Sequence, residues 1–157
     1  MKHTAGLWIY NYSTDEGFKF LLVHPGGPFF AKKDANVWSI PKGEYDPNTE
    51  DAFEVAKREF NEETGNTITS ENFIELSQVK SRGGKMIKSW ATEAYFDPCF
   101  ISSNYFEMEW PPKSGKMKSF PETDKAEWFT INEVKEKINL SQLPIFEELL
   151  QKLDINC

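Results

Sequence analysis

A chain of 157 residues with 18 Lys and Arg against 25 Asp and Glu carries a formal charge of −7. That length suits one domain whose core needs no disulfide or metal staple. Contents of 39% hydrophobic and 15% aromatic residues exclude a disordered chain, and the acidic balance excludes a general DNA or RNA binder, which needs a basic surface.

The chain from Met1 lacks the apolar stretch and cleavage site of a signal peptide. No window approaches the ~18 apolar residues of a membrane span. Cys99 and Cys157 have no metal-type spacing and set no disulfide framework. The expectation is a cytoplasmic protein, 1–157 forming one domain, without membrane contact.

In chain order, the apolar run Ala5–Tyr10 predicts a buried strand. Phe18, Phe20 and Leu22 alternate through 18–23 and predict a second strand, ended by His24-Pro25-Gly26-Gly27-Pro28. Val37–Ile40 reads as a brief third. The strongest helix signal covers Thr49–Thr64. Asn48 or Thr49 offers a cap, Glu50 and Asp51 suit the positive end of the dipole, and Gly65 suits a left-handed stop. Ala52, Phe53, Ala56 and Phe60 give that helix one apolar face.

Two strand-like runs follow, Phe73–Ser81 and Met86–Phe96, around the hairpin signal Arg82-Gly83-Gly84-Lys85. Residues 97–124 show little periodicity and read as a long functional or disordered loop. Ala126–Thr130 predicts a last strand. Asn132–Ile138 and Pro144–Leu153 predict helices, the second with a stripe of Ile145, Phe146, Leu149, Leu150 and Leu153. Strands, helix, strands and helices in that order predict an α+β fold, a mixed sheet covered by helices.

The charge is concentrated. Residues 43–65 hold Glu44, Asp46, Glu50, Asp51, Glu54, Glu59, Glu62 and Glu63 against Lys57 and Arg58, which is six of the seven net charges. Glu59, Glu62 and Glu63 are spaced i, i+3, i+4, so three carboxylates share one helix face and repel. A solvated face would interleave Lys at this spacing. A broken local rule points to function. A divalent cation would relieve the repulsion, and hard oxygen donors select Mg²⁺ or Mn²⁺.

The stretch Gly43…Glu50…Arg58-Glu59-Phe60-Asn61-Glu62-Glu63-Thr64-Gly65 resembles the Nudix box, about 43–66. Glu50 to Arg58 matches the family spacing, and Arg-Glu-x-x-Glu-Glu-x-Gly matches in full. Six residues separate Gly43 from Glu50 where the pattern has five. Asn66 and Phe60 stand where aliphatic residues are usual. Trp38-Ser39-Ile40-Pro41-Lys42-Gly43 resembles the entry to the box in dinucleoside-polyphosphate hydrolases. The phrases Val23–Pro28 and Phe106–Gly115 resemble a bacterial subgroup of predicted NTP pyrophosphohydrolases.

The resemblance implies a Nudix-type α/β/α sandwich with a mixed β-sheet, and a Mg²⁺-dependent (or Mn²⁺-dependent) hydrolase of nucleoside polyphosphates. It implies metal ligands Gly43 (through its carbonyl), Glu59, Glu62 and Glu63, with Glu62 as ligand or base. Arg58 would orient a carboxylate, with Glu50 pairing Arg58 or favouring the helix terminus. Glu107 or Glu109 would supply an extra acid. Lys42 and Lys113 are the leading phosphate contacts among Arg82, Lys85, Lys116 and Lys118. Trp110 leads Phe29, Phe30 and Tyr105 as a stacking surface for a base. His24 reads as structural. The expected partner is an NTP or a dinucleoside polyphosphate such as Ap4A, with no DNA or RNA, for a monomer or homodimer. The competing readings are a Nudix-fold nucleotide-binding module without catalysis and an acidic interaction domain.

Overall fold

The computed structural model describes residues 1–98 and 103–155; both cysteines lie outside them. The first strand, β1 (His3–Ser13), is the spine of a seven-stranded mixed sheet. On one edge it pairs in parallel with β6 (Met86–Glu93), from His3 opposite Met86 to Tyr10 opposite Glu93. On the other edge it serves two antiparallel partners in turn. Its start pairs with β3 (Lys42–Tyr45), and its end with β2 (Gly17–Pro25). The sheet therefore forks at Leu7–Trp8, where the Leu7 N–H donates to the Pro41 carbonyl at 3.2 Å.

Beyond the fork, β2 pairs with β9 (Thr123–Phe129). Short strands β4 (Ile74–Glu75) and β5 (Val79–Lys80) line the far edge of β6. The alternation of β1 sends Ala5, Leu7 and Ile9 to one face, where Val55, Ala56 and Phe60 of α1 (Ala52–Thr64) cover them. It sends Trp8 to the other face, where α2 (Ile131–Lys137) and α3 (Leu143–Lys152) supply Val134, Ile145, Phe146 and Leu149. Period-2 strands between period-3.6 helices thus build two apolar layers around one sheet. The α/β/α sandwich expected from the resemblance is what forms. No helix of the described residues is long and apolar enough to cross a membrane.

Several predicted elements shift. Helix α1 starts at Ala52, because Asp51 is its cap and accepts from the Glu54 N–H at 3.1 Å; Asn48 and Thr49 lie in the preceding turn. Val37–Ile40 makes only isolated bridges, Trp38 to Ile138 and Ser39 to Val23, since this segment spans the gap between sheet and α2. The run 73–81 is split into β4 and β5.

The largest correction concerns 97–124, expected as an irregular loop. Its described part folds into an antiparallel hairpin, β7 (Tyr105–Glu109) and β8 (Met117–Pro121), separate from the main sheet. Most of its residues stay exposed or half-exposed on both faces. In β7 the half-buried Phe106 and Met108 alternate with exposed Glu107 and Glu109, but over only five residues, and β8 is mostly exposed, so the segment as a whole carries too short a pattern to mark two strands.

Candidate active site

Helix α1 brings its acidic face against β3. The insertion between Gly43 and Glu50 is absorbed in a turn at Asp46, whose carbonyl accepts from the N–H groups of Thr49 and Glu50 at 3.1 and 2.9 Å. Glu50 bends back to accept from the Asp46 N–H at 3.1 Å and from Arg58 Nη1 at 2.9 Å. The register of Gly43 is unaffected. A Cβ there would lie 2.1 Å from Glu59 Cδ, so only glycine lets the β3 backbone lie against that carboxylate. Gly65, at φ +77°, ends the helix as expected.

Arg58 stands among three carboxylates. Besides Glu50, its guanidinium lies 3.5 Å from Glu59 and 3.9 Å from Glu62. The Glu50 hydrogen bond holds Arg58 above and Glu50 below their ordinary pKa values. Of the two roles the sequence left open for Glu50, the pair with Arg58 is the one present.

Two box carboxylates are short of compensation. Burial pushes Glu59 up, and the Glu62 charge adds to it while Arg58 opposes. Burial pushes Glu63 up to about 8, with Glu59 and Glu122 adding and Lys42 opposing. Glu63 also accepts from the Lys42 N–H at 3.3 Å. Burial in turn pulls the Lys42 ammonium down, with Lys85 contributing.

At the fork of the sheet, Lys42, Glu63, Ser39, Glu122 and Thr123 line a hollow of about 100 Å³. Lys42 also lines a second hollow of about 230 Å³ with Lys85, Asn139 and Ser141. A cation thus sits between the carboxylate helix and a polar recess.

Glu122 was not among the sequence candidates. It leads into β9, on the strand beside β2, inside the segment that shows no period. Its position just ahead of a strong strand signal was the clue available. The two acids nominated from that segment are placed on the hairpin arm. Glu107 stands opposite Ser119 on β8. Glu109 accepts from the N–H groups of Lys113 and Gly115 at 2.6 and 3.2 Å, so it ties the hairpin turn. Trp110 packs edge-on against Phe29, with centroids 5.8 Å apart, and Lys113 sits exposed at the turn with φ +62°.

Among the described residues, no three His, Cys, Asp or Glu side chains are gathered into a ready cation cage. The donor chemistry nonetheless fits a hard divalent ion. The donors are all oxygen, two carboxylates are desolvated with their charge only partly offset, and the Gly43 backbone lies against one of them.

The family model for the NUDIX domain matches residues 2–149. No curated protein matches the chain. Among solved structures, the NUDIX domain of Shewanella oneidensis NrtR complexed with ADP ribose superposes with a TM-score of 0.64 at 15% identity, over 96% of this chain and 87% of that one. A Caenorhabditis elegans Ap4A hydrolase binary complex gives a TM-score of 0.59 at 22% identity, over 97% and 99%. An Enterococcus faecalis MutT/nudix family protein gives 0.56 at 22% identity, over 82% of this chain, which spans only 43% of that protein. With the domain match covering almost the whole chain, and with helix, glycine and carboxylates in the box arrangement, this chain belongs to the NUDIX domain family.

Proposed function

We propose that the protein is a Mg²⁺- or Mn²⁺-dependent hydrolase that cleaves a phosphoanhydride bond in a nucleoside polyphosphate, an NTP or a dinucleoside polyphosphate. The observation that carries this reading is the grouping of Glu59 and Glu63, both desolvated, with Lys42 and Glu122 at the fork of the sheet. Glu59, Glu62, Glu63 and the Gly43 carbonyl would hold the metal, which supplies charge neutralisation at phosphate oxygens and a more acidic bound water.

The chain's own groups do the rest. Arg58 orients Glu59 and Glu62 through the contacts described above. Lys42 and Lys113 take phosphate oxygens, and Trp110 offers a face to a base. In the reaction the oxygen of water bonds to phosphorus, the bridging P–O bond breaks, and the water proton passes to a carboxylate. Glu62 and Glu122 are the bases that the site offers, with Glu107 as the candidate from the arm.

The Ap4A hydrolase neighbour, aligned over nearly its whole length, supports the dinucleoside class. Incubation with Mg²⁺ and a panel of NTPs, diadenosine polyphosphates, ADP-ribose and sugar nucleotides, with products identified, tests the reading. Glu62→Gln and Glu63→Gln should each lower kcat at least ~100-fold with the circular dichroism unchanged. No turnover of any member together with no Mn²⁺ binding would leave the nucleotide-binding module. Wild-type rates in both variants would refute the site.

A further inference from the structure

His24 is a buried polar residue that the reading above leaves without a task. It is only 1% exposed, at the end of β2 beside the fork. Each ring nitrogen faces an acceptor. Nδ1 lies 2.8 Å from Asp124 Oδ1, and Nε2 lies 2.7 Å from the Lys33 carbonyl oxygen. The ring therefore bridges two segments that are distant in sequence, the β9 residue Asp124 and the Lys33 backbone. The edge of Trp38, with centroids 5.0 Å apart, completes its surroundings.

Asp124 is not an ordinary strand residue. In the β2–β9 ladder His24 pairs with Lys125 and Pro25 pairs with Thr123, so Asp124 is the extra residue of a β-bulge. Bulges bend a strand and re-aim its side chains, often beside active sites. Two residues before it stands Glu122.

The backbone around Glu122 is clamped from two sides. Its N–H donates to the Asn104 carbonyl at 2.8 Å, and its carbonyl accepts from the Gly26 N–H at 2.9 Å. Thr123 N–H donates to Ser103 Oγ at 3.0 Å. Gly26 approaches so closely that a Cβ there would lie 1.8 Å from the Pro121 carbonyl oxygen. The side chain of Glu122 is thereby presented to the hollow that Glu63 and Lys42 line.

We propose that His24 and Asp124 form a positioning pair: buried His24 pins the β9 bulge, and the pinned bulge fixes the direction in which Glu122 offers its carboxylate to Glu63 and Lys42. This rests on the reading of Glu122 as an acid of the active site. His24 acts through Glu122 and touches no reacting atom.

The test is a double-mutant cycle on the full chain, with kcat, KM and Mn²⁺ affinity (from the electron spin resonance of free Mn²⁺) as readouts. Asp124 keeps 32% of its side-chain surface exposed, so Asp124→Ala should fold, as circular dichroism would check. Partners one step behind metal ligands commonly cost ~10–100-fold when removed. Asp124→Ala should lower kcat about 10-fold with KM within about 2-fold, and weaken Mn²⁺ binding. Asp124→Asn, which keeps an acceptor for Nδ1, should stay within about 3-fold of wild type. In a Glu122→Gln background Asp124→Ala should add less than about 2-fold.

Effects of Asp124→Ala and Glu122→Gln that multiply would overturn the pair, as would wild-type kcat and Mn²⁺ affinity in Asp124→Ala. Glu122→Gln with wild-type values would overturn it too, since nothing would be left to position. If the wild type turns over no polyphosphate, the hydrolase reading fails separately. The Mn²⁺ affinities alone then decide: weaker binding on Asp124→Ala that vanishes in the Glu122→Gln background sustains the pair, and equal binding refutes it.

Discussion

Replacing Glu63 by Gln should make the metal-free protein more stable at pH 8 while destroying its activity. Burial raises the Glu63 carboxyl from 4.5 to about 8 in the folded chain. Between those values the folded state binds a proton that the unfolded state has released, so stability falls as pH rises through that window. Each pKa unit is worth about 1.4 kcal/mol, so the ceiling is about 5 kcal/mol. Glu63 keeps some contact with water, which screens the charge and brings the expected loss to roughly 2–4 kcal/mol. The Glu63→Gln variant holds a neutral amide of similar shape at this position and carries no such dependence. Urea denaturation in EDTA at half-unit steps from pH 4.5 to 8.5 measures it. The two proteins should be about equally stable near pH 4.5, and the variant ahead by roughly 2–4 kcal/mol above pH 8. Parallel curves for the two proteins would refute the assignment of Glu63 as the uncompensated acid. Saturating Mn²⁺ at pH 8 should stabilise the wild type more than the variant, because a ligand that binds only the folded state adds its binding free energy.

Three further outcomes follow from the same structure. Gly43→Ala would drive a Cβ into the Glu59 carboxylate; Glu59 must swing away, so kcat should fall at least ~10-fold while the melting temperature moves little, and a wild-type rate would contradict the close approach. Phe60, fully buried under the sheet against Phe96, should cost about 3–5 kcal/mol on replacement by Ala in denaturant titration, and a loss below ~1 kcal/mol would contradict its place in the core. Dialysis against EDTA should abolish phosphoanhydride hydrolysis and added Mg²⁺ or Mn²⁺ should restore it; turnover unchanged by chelation would exclude the metal reading.

The box helix was legible because every local requirement coincides there. Gly65 closes it, Ala56 and Phe60 give it an inward stripe, and three glutamates at i, i+3, i+4 break the rule for a solvated face; only its start was read early, at Thr49, where the cap is Asp51. The strands β1, β2 and β6 were legible from the apolar run Ala5–Tyr10, the alternation of Phe18, Phe20 and Leu22, and the hairpin signal Arg82-Gly83-Gly84-Lys85. The hairpin arm was not, because the alternation of β7 spans only five residues and β8 is mostly exposed.

Sequence alone therefore determined the layers, the acidic helix and its oxygen-donor chemistry, all of which depend on neighbours within one or two turns of chain. Tertiary structure alone decided which distant groups join that helix. Glu122 lies 59 positions from Glu63, and His24 and Asp124 meet across a separation of 100. They are brought together only because β1 pairs with β2 and β3 along one edge, opening a fork, and because β9 bulges where it passes that fork. Side chains that converge through strand pairing leave no periodic trace in the chain, since register is set by the whole sheet and not by the residues that it happens to juxtapose.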